Sequence, residues 1–314
     1  MQFKKIVTIS LNPALDITLS VDGLVPEKIN SVISQQTDAA GKAVNIAKLL
    51  SSFGVNPHLI TFAGNENFDK YFKHLRAASP ALECETLIVD GSTRENLHIV
   101  LPDESLVTVR QNGFTVSEKD ISDITEKVAA HLAPETLFII SGRFPDGFSS
   151  DDFRNLCRVI SEHGGLLAVD SNSVSYDDLI AVKPFIIKPN LDELRDLTGL
   201  PLSDKSEIKK VLGELSRFGL KNILLSLGAD GLVYYGKDLS LHAVPPKVKV
   251  LSAVGAGDCT LAGFILSRLL GLDIPTAVKT ATSFGSAAVS LPGTKTPSEQ
   301  EVVNIFNQVS ITEF

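Results

Sequence analysis

The sequence predicts an α/β fold, with one core built on a mostly parallel sheet covered by helices and carrying a small accessory β-sheet. Three observations predict it. From about residue 138 onward, short β-rich runs alternate with amphipathic stretches, the order that builds a parallel sheet. Two earlier stretches, 14–37 and 86–113, alternate apolar and polar residues, as half-exposed strands do. No segment rich in Pro, Gly or Ser and no internal repeat divides the 314 residues into tandem units.

In the first alternating stretch, Ile17, Leu19 and Val21 share one face of a strand. Helix-like 42–53, strand-like 59–62 and helix-like 68–77 follow. In the second, Leu97, Ile99 and Leu101, then Leu106, Val107 and Val109, mark a hairpin around Pro102-Asp103-Glu104. Residues 137–141 form a buried strand, and 151–163 a helix with Phe153, Leu156, Cys157 and Ile160 on one stripe. Residues 166–170 and 185–187 return as strands. Ile208, Val211, Leu212, Leu215 and Phe218 stripe a helix over 206–218 that Gly219 ends, and 223–226 is again a strand. The segment 248–251 is strand-like, and 259–270 is an apolar helix. Together these predict a core of residues 1–13, 38–85 and 114–314, with 14–37 and 86–113 as a discontinuous lid.

Composition narrows the function. With 29 Lys and Arg against 37 Asp and Glu, the net charge is -8, which excludes a nucleic-acid footprint and a polybasic membrane surface and favours a small-molecule partner. At 44% hydrophobic and 21% charged residues the chain is a folded globular protein. Cys84, Cys157 and Cys259 are odd in number, far apart and without a C-x-x-C pair, so the expected compartment is a reducing cytoplasm. The apolar stretch 261–272 is broken by Ser267 and Arg268, and Met-Gln-Phe-Lys-Lys is no signal-peptide core.

Four clusters carry candidate chemistry. Gly255-Ala256-Gly257-Asp258 precedes an apolar helix. Its N–H groups and the helix dipole suit an anion, with Asp258 beside it as a base; the alternative is a glycine turn with Asp258 as N-cap. Thr260 and the position in the chain rule out a dinucleotide fingerprint. Gly41-Lys42-Ala43-Val44-Asn45 is not a Walker A loop, because Gln36 and Ala43 stand where that motif needs Gly and Ser or Thr. It reads as a turn approaching a sugar, with Lys42 on an anion and Asn45 on hydroxyls, or as a plain helix start with a solvated lysine. Lys188-Pro189-Asn190 with Glu193 follows a strand; Asn190 and Glu193 either face a hydrated Mg²⁺ or form a capping box. Ser226-Leu227-Gly228 ends another strand, either lining a nucleotide or making a hairpin turn. The six histidines show no ligand spacing and there is no G-x-S-x-G elbow.

In order along the chain, Leu11-Asn12-Pro13-Ala14-Leu15-Asp16, Ala40-Gly41-Lys42 with Asn45, Thr93-Arg94, Ile140-Ser141-Gly142, Lys188-Pro189-Asn190 with Glu193, Ser226-Leu227-Gly228 and Gly255-Ala256-Gly257-Asp258 resemble the ribokinase-like sugar kinases, in their phosphofructokinase B branch. The resemblance covers essentially the whole chain and implies a ribokinase-like, Rossmann-type three-layer α/β/α core with a small β lid that pairs two subunits into a homodimer. It implies Asp16, Gly41 and Asn45 on sugar hydroxyls, and Lys42, Arg94 and Ser141 near a phosphate the substrate already carries. Lys188, Asn190, Ser226 and Gly228 would serve ATP, Glu193 would act through Mg²⁺ and water, and Gly255, Ala256 and Gly257 would form the anion hole. Asp258 would be the base, with K⁺ a candidate monovalent cation. The opening Leu-Asn-Pro-x-x-Asp and the Ala-Ala-Gly-Lys form resemble members that phosphorylate fructose 1-phosphate; tagatose 6-phosphate, fructose 6-phosphate and a non-catalytic sugar-phosphate-binding regulator are the alternatives. Three positions depart from the family pattern: Ala43 for Gly, Arg143-Phe144 for Ser-Leu, and Cys259 for Ser. They bear on the sugar more than on the reaction class.

Overall fold

Strands buried on both faces read as continuous apolar runs, and the computed structural model, which describes residues 3–291, 293 and 295–314, shows what covers each face. β1 (Lys5–Ser10) enters the main sheet, and the chain then leaves it as β2 (Ala14–Val21) and β3 (Val32–Ala40) of a second sheet. It returns through α1 (Lys42–Ser52), β4 (His58–Gly64), α2 (Phe68–Ala78) and β5 (Glu83–Val89), and revisits the second sheet as β6 (Arg94–Val100) and β7 (Leu106–Arg110). Alternation follows: α3 (Glu118–Ala129), β8 (Thr136–Ser141), α4 (Ser150–Glu162), β9 (Leu166–Asp170), α5 (Tyr176–Val182), β10 (Ile186–Ile187), α6 (Leu191–Thr198), α7 (Lys205–Arg217) and β11 (Asn222–Ser226). β12 (Leu232–Gly236), β13 (Ser240–Val244), α8 (Ala256–Leu269), α9 (Ile274–Val289), α10 (Glu299–Phe306) and β14 (Ser310–Glu313) complete the chain.

The main sheet runs β14-β13-β12-β11-β10-β9-β8-β1-β4-β5, and the second β3-β2-β6-β7. Pairing is parallel from β11 through β5 and antiparallel from β11 to β14. Alternate residues face opposite layers, as strand geometry requires. Val7, Ile9, Phe138 and Ile140 meet α3, α4 and α7 through Ile124, Phe153, Leu156 and Leu212. Ile6, Leu137 and Ile139 meet α1, α8 and α9 through Ile46, Leu261, Phe264 and Ala281. This is the expected three-layer core. The strand order reverses on either side of β1, placing a crevice at the carboxyl ends of β1 and β8.

Two expectations need correction. Residues 86–89, assigned to the lid, lie in β5, which pairs parallel with β4 from His58↔Glu83 to Gly64↔Val89. Their alternation is that of a half-exposed edge strand of the core, so the second lid segment starts at β6, while β3 carries the first on to Ala40. Residues 248–251 form no strand. Leu251 and Ser252 instead donate their N–H groups to Val289 O at the end of α9, and Val250 is exposed. The hairpin around 102–104 is present as β6 paired antiparallel with β7.

Candidate active site

α1 and α8 each begin on a glycine that offers no side-chain cap, whereas α3 to α7, α9 and α10 each begin on a Ser, Asn or Asp that caps the first turn. The leading N–H groups of α1 and α8 are therefore open to an anion. The two starts are tied together: Asn45 Nδ2 donates to Asp258 Oδ2 at 2.8 Å. Gly41 sits at φ 120°, and a Cβ there would meet Pro13 Cα at 3.2 Å, so only glycine lets the chain pass the β1–β2 link so closely. Ala43 lies inside the first turn of α1, buried and without positive φ, so its methyl is accommodated as helix core.

Asp258 is not an N-cap. Gly255 holds that position, and α8 starts at Ala256 rather than 259, which puts Asp258 in its first turn with the carboxyl buried. Burial, and then repulsion from Asp170, push its carboxyl up to about 7 against the opposing pull of Asn45, Lys42 and Lys188. A carboxylate poised there accepts a proton near neutral pH.

Asp170, at the end of β9, escaped the sequence reasoning and organises the floor. Its Oδ1 is 3.0 Å from Lys42 Nζ and its Oδ2 3.4 Å from Lys188 Nζ. Burial works against its charge, yet the two ammonium groups hold the carboxyl below the usual range. Lys42 Nζ also lies 3.6 Å from Glu193 Oε1. Burial opposes the Lys42 charge, but Asp170, Glu193 and Asp258 together raise its pKa. A Cβ on Gly257 would come 3.1 Å from Lys188 Nζ, so this ammonium abuts the start of α8. Ser141 ends β8, donating its hydroxyl to Asp170 O, and Gly142 passes Lys42.

The capping box at Asn190 and Glu193 is formed. Asn190 Oδ1 accepts from Glu193 N at 2.8 Å, and Glu193 Oε2 from Asn190 N at 2.9 Å. Each keeps one polar group outside the box: Asn190 its Nδ2, Glu193 the Oε1 that faces Lys42. Ser226 is bridged to Asn190 across the strand ends, and Gly228 opens a 3₁₀ turn of the hairpin into β12. A cleft of about 270 Å³ lies alongside, lined by Asp170, Lys188, Glu193, Tyr176 and Leu197 among others.

The second sheet contributes the other half. Asp16 on β2 accepts from Asn96 Nδ2 at 2.7 Å and lies 3.7 Å from His98 Nε2, both on β6. Burial acts against its charge, but His98, Asn96 and Arg94 hold the carboxyl low. Arg94 donates to Asn12 O at 3.2 Å. Burial lowers its pKa, and the charges of Arg110 and Arg143 lower it further, against the support of Asp16. Asn96, His98 and Arg110 were not singled out in the sequence, although Arg94, Asn96 and His98 recur at the strand period of two. Among the described residues, nine buried side-chain polar atoms lack a hydrogen-bond partner, and six belong to these two groups: Asn12 Oδ1, Asn45 Oδ1, Arg94 Nε, His98 Nε2, Asp170 Oδ2 and Ser226 Oγ. Such atoms are costly unless a ligand or an ordered water completes them.

A family profile for the pfkB family carbohydrate kinases matches residues 4–301. The chain belongs to that family. The kinase is 30% identical over 315 residues to a 1-phosphofructokinase of Vibrio cholerae, covering 98% of this chain and 97% of the relative. It is 28% identical to a 1-phosphofructokinase of Rhodobacter capsulatus over 98% and 97% of the two chains. In fold it resembles phosphofructokinase-2 from Escherichia coli in complex with substrates and products, with a TM-score of 0.89, 24% identity and coverage of 96% and 98%. Structures of that enzyme in complex with potassium and as a tetrameric inhibited form give TM-scores of 0.88 and 0.86. Among the described residues of the kinase, no helix is long and apolar enough to cross a membrane.

Proposed function

We propose that this carbohydrate kinase transfers the γ-phosphoryl group of ATP to the 6-hydroxyl of fructose 1-phosphate, giving fructose 1,6-bisphosphate and ADP. The observation that carries the reading is the two-ended site. A buried Asp258 with a raised pKa stands at an uncapped helix start between Lys42 and Lys188, and a partly buried Arg94 feels the charges of Arg110 and Arg143. In a chain of net charge -8, three neighbouring arginines favour a ligand that already carries a phosphate. The relatives named 1-phosphofructokinase support the choice of sugar.

Asp258 takes the hydroxyl proton as the sugar oxygen attacks the γ-phosphorus. The new O–P bond forms as the bond to the β,γ-bridging oxygen breaks, and ADP leaves with that electron pair. The first N–H groups of α8, with Lys188 and Lys42, face the charge that develops. Asp16 and Asn45 hold sugar hydroxyls, Asn45 through its unpartnered Oδ1. Ser141 ends a strand beside Lys42, near the transferred group as much as the substrate phosphate. Asn190, Ser226 and Gly228 line the nucleotide, Ser226 through its unpartnered hydroxyl. Glu193 Oε1, the carboxylate oxygen left outside the capping box, would hold a hydrated Mg²⁺, which would supply charge neutralisation on the nucleotide phosphates. K⁺ is the candidate monovalent cation, a choice supported by the potassium complex of the Escherichia coli enzyme that the kinase resembles in fold.

Val107 and Val109, alternate residues of β7, are exposed on one face of the lid, an apolar strip suited to the lid of a second copy and hence to a homodimer. Free Cys84, Cys157 and Cys259 accord with a reducing cytoplasm. The test is coupled ADP release with Mg²⁺, with and without K⁺, on fructose 1-phosphate, fructose 6-phosphate, tagatose 6-phosphate and fructose. The highest kcat/KM falls on fructose 1-phosphate; a higher value on either 6-phosphate overturns the choice of sugar, and equal values on fructose overturn the phosphate reading.

A further inference from the structure

At the amino ends of β4 and β5, the side of the sheet opposite the crevice, two imidazoles converge on one carboxylate oxygen. His58 opens β4, Glu85 is on β5, and His131 follows the end of α3. His58 Nε2 is 2.8 Å and His131 Nε2 2.7 Å from Glu85 Oε1, and the ring centroids are 4.0 Å apart. All three side chains are partly buried, with their ligand atoms within 4.8 Å of one another.

We propose that His58, Glu85 and His131 bind one divalent transition-metal ion of the zinc class, which clamps α3 to the edge strands β4 and β5. Two imidazole nitrogens and one carboxylate oxygen are a borderline donor set that suits Zn²⁺, Co²⁺ or Ni²⁺ rather than Mg²⁺. The surroundings orient the donors. Glu83 Oε2 lies 3.3 Å from His58 Nδ1, so a proton held there turns the Nε2 lone pair inward. Lys127 Nζ takes the other oxygen, Glu85 Oε2, at 3.1 Å and leaves Oε1 to the ion. Lys5 Nζ, 3.2 Å from His131 Nδ1, is the one group that must turn away, and it is an exposed side chain. Zn–N bonds of about 2.0–2.1 Å set tetrahedral ligands roughly 3.3 Å apart, so the present contacts open by about half an ångström. With three protein donors, water completes the fourth position.

The protein, stripped with a chelator and returned to buffer, is titrated with Zn²⁺ and with Co²⁺ while unfolding temperature is followed. One equivalent binds to the wild type and raises the unfolding temperature. His58→Gln and His131→Gln each weaken binding at least tenfold and abolish the rise, and Glu83→Gln weakens it roughly tenfold. The Co²⁺ spectrum shows no thiolate band, which separates this site from Cys84. Circular dichroism without metal confirms that each variant is folded, and ADP release without zinc stays at the wild-type rate in the folded variants. Equal affinity in wild type and both histidine variants, a thiolate band lost in Cys84→Ser, or no binding by the wild type overturns the proposal.

Discussion

Replacing Asp258 by Asn separates what its carboxylate does for catalysis from what it costs the fold. The group sits at about 7 in the folded chain against 3.8 for a free aspartate. A carboxyl whose folded value is raised keeps its proton where the unfolded chain has lost it, so stability falls as pH rises from about 4 to about 7 and is level above. At about 1.4 kcal/mol per pH unit, the charged form costs up to about 4 kcal/mol at pH 8.5 and under ~2 kcal/mol at pH 5. Asn can still accept from Asn45 through Oδ1 and carries no charge. Urea unfolding of wild type and Asp258→Asn at both pH values should therefore show a stabilised variant, with a gain larger by roughly 3 kcal/mol at pH 8.5. Turnover in the same variant falls by about 10²–10⁴ with ATP binding little changed. A stability difference that does not change with pH would refute the buried-charge reasoning, and near-normal turnover would remove Asp258 from the role of base.

Glu193→Gln keeps an oxygen to accept from Asn190 N, so the unfolding temperature should hold while the Mg²⁺ concentration for half-maximal rate rises; an unchanged Mg²⁺ requirement would leave Glu193 only its cap. Arg94→Ala should lower kcat/KM on fructose 1-phosphate by about 10²-fold or more, as a lost charge-assisted contact of ~2–3 kcal/mol implies, with a smaller loss on fructose; equal fractional losses would mean that Arg94 does not read the phosphate. Addition of fructose 1-phosphate should slow amide exchange in β2, β3, β6 and β7, and protection confined to the main sheet would contradict closure of the lid.

The core was legible because its strands and helices carry their periods openly: the stripe from Ile208 to Leu215 and the runs 137–141 and 166–170 appear where the sequence places them. α9 was not, since its Ala, Ser, Thr and Gly side chains pack closely against α8 without an amphipathic stripe. Val248 to Leu251 misled because their apolar side chains are not covered by a sheet: Val250 and Leu251 are exposed. Of the site, the glycine-led motifs announced themselves through backbone demands. Asp170 was silent because a single acid at a strand end has no spacing to betray it, and its importance appears only when Lys42 and Lys188, 146 residues apart in sequence, close on it. Asn190 and Glu193 supported two readings because a capping box leaves one oxygen of the glutamate uncommitted.

The chain passes from β1 to β2 through Asn12 and Pro13, where Asn12 O accepts from Arg94 of β6 and Pro13 lies against Gly41 at the start of α1. Asp16, Arg94, Asn96 and His98 therefore sit on the second sheet, whereas Asp258, Asn45, Asp170 and both lysines sit on the core. On the proposed roles, recognition of the acceptor is divided between the two: Asp16 and Arg94 lie on the second sheet, while Asn45 and Arg143 belong to the core. Exchanging β2, β3, β6 and β7 between two such kinases should therefore shift the sugar preference only in part, because Asn45 and Arg143 stay behind with the core.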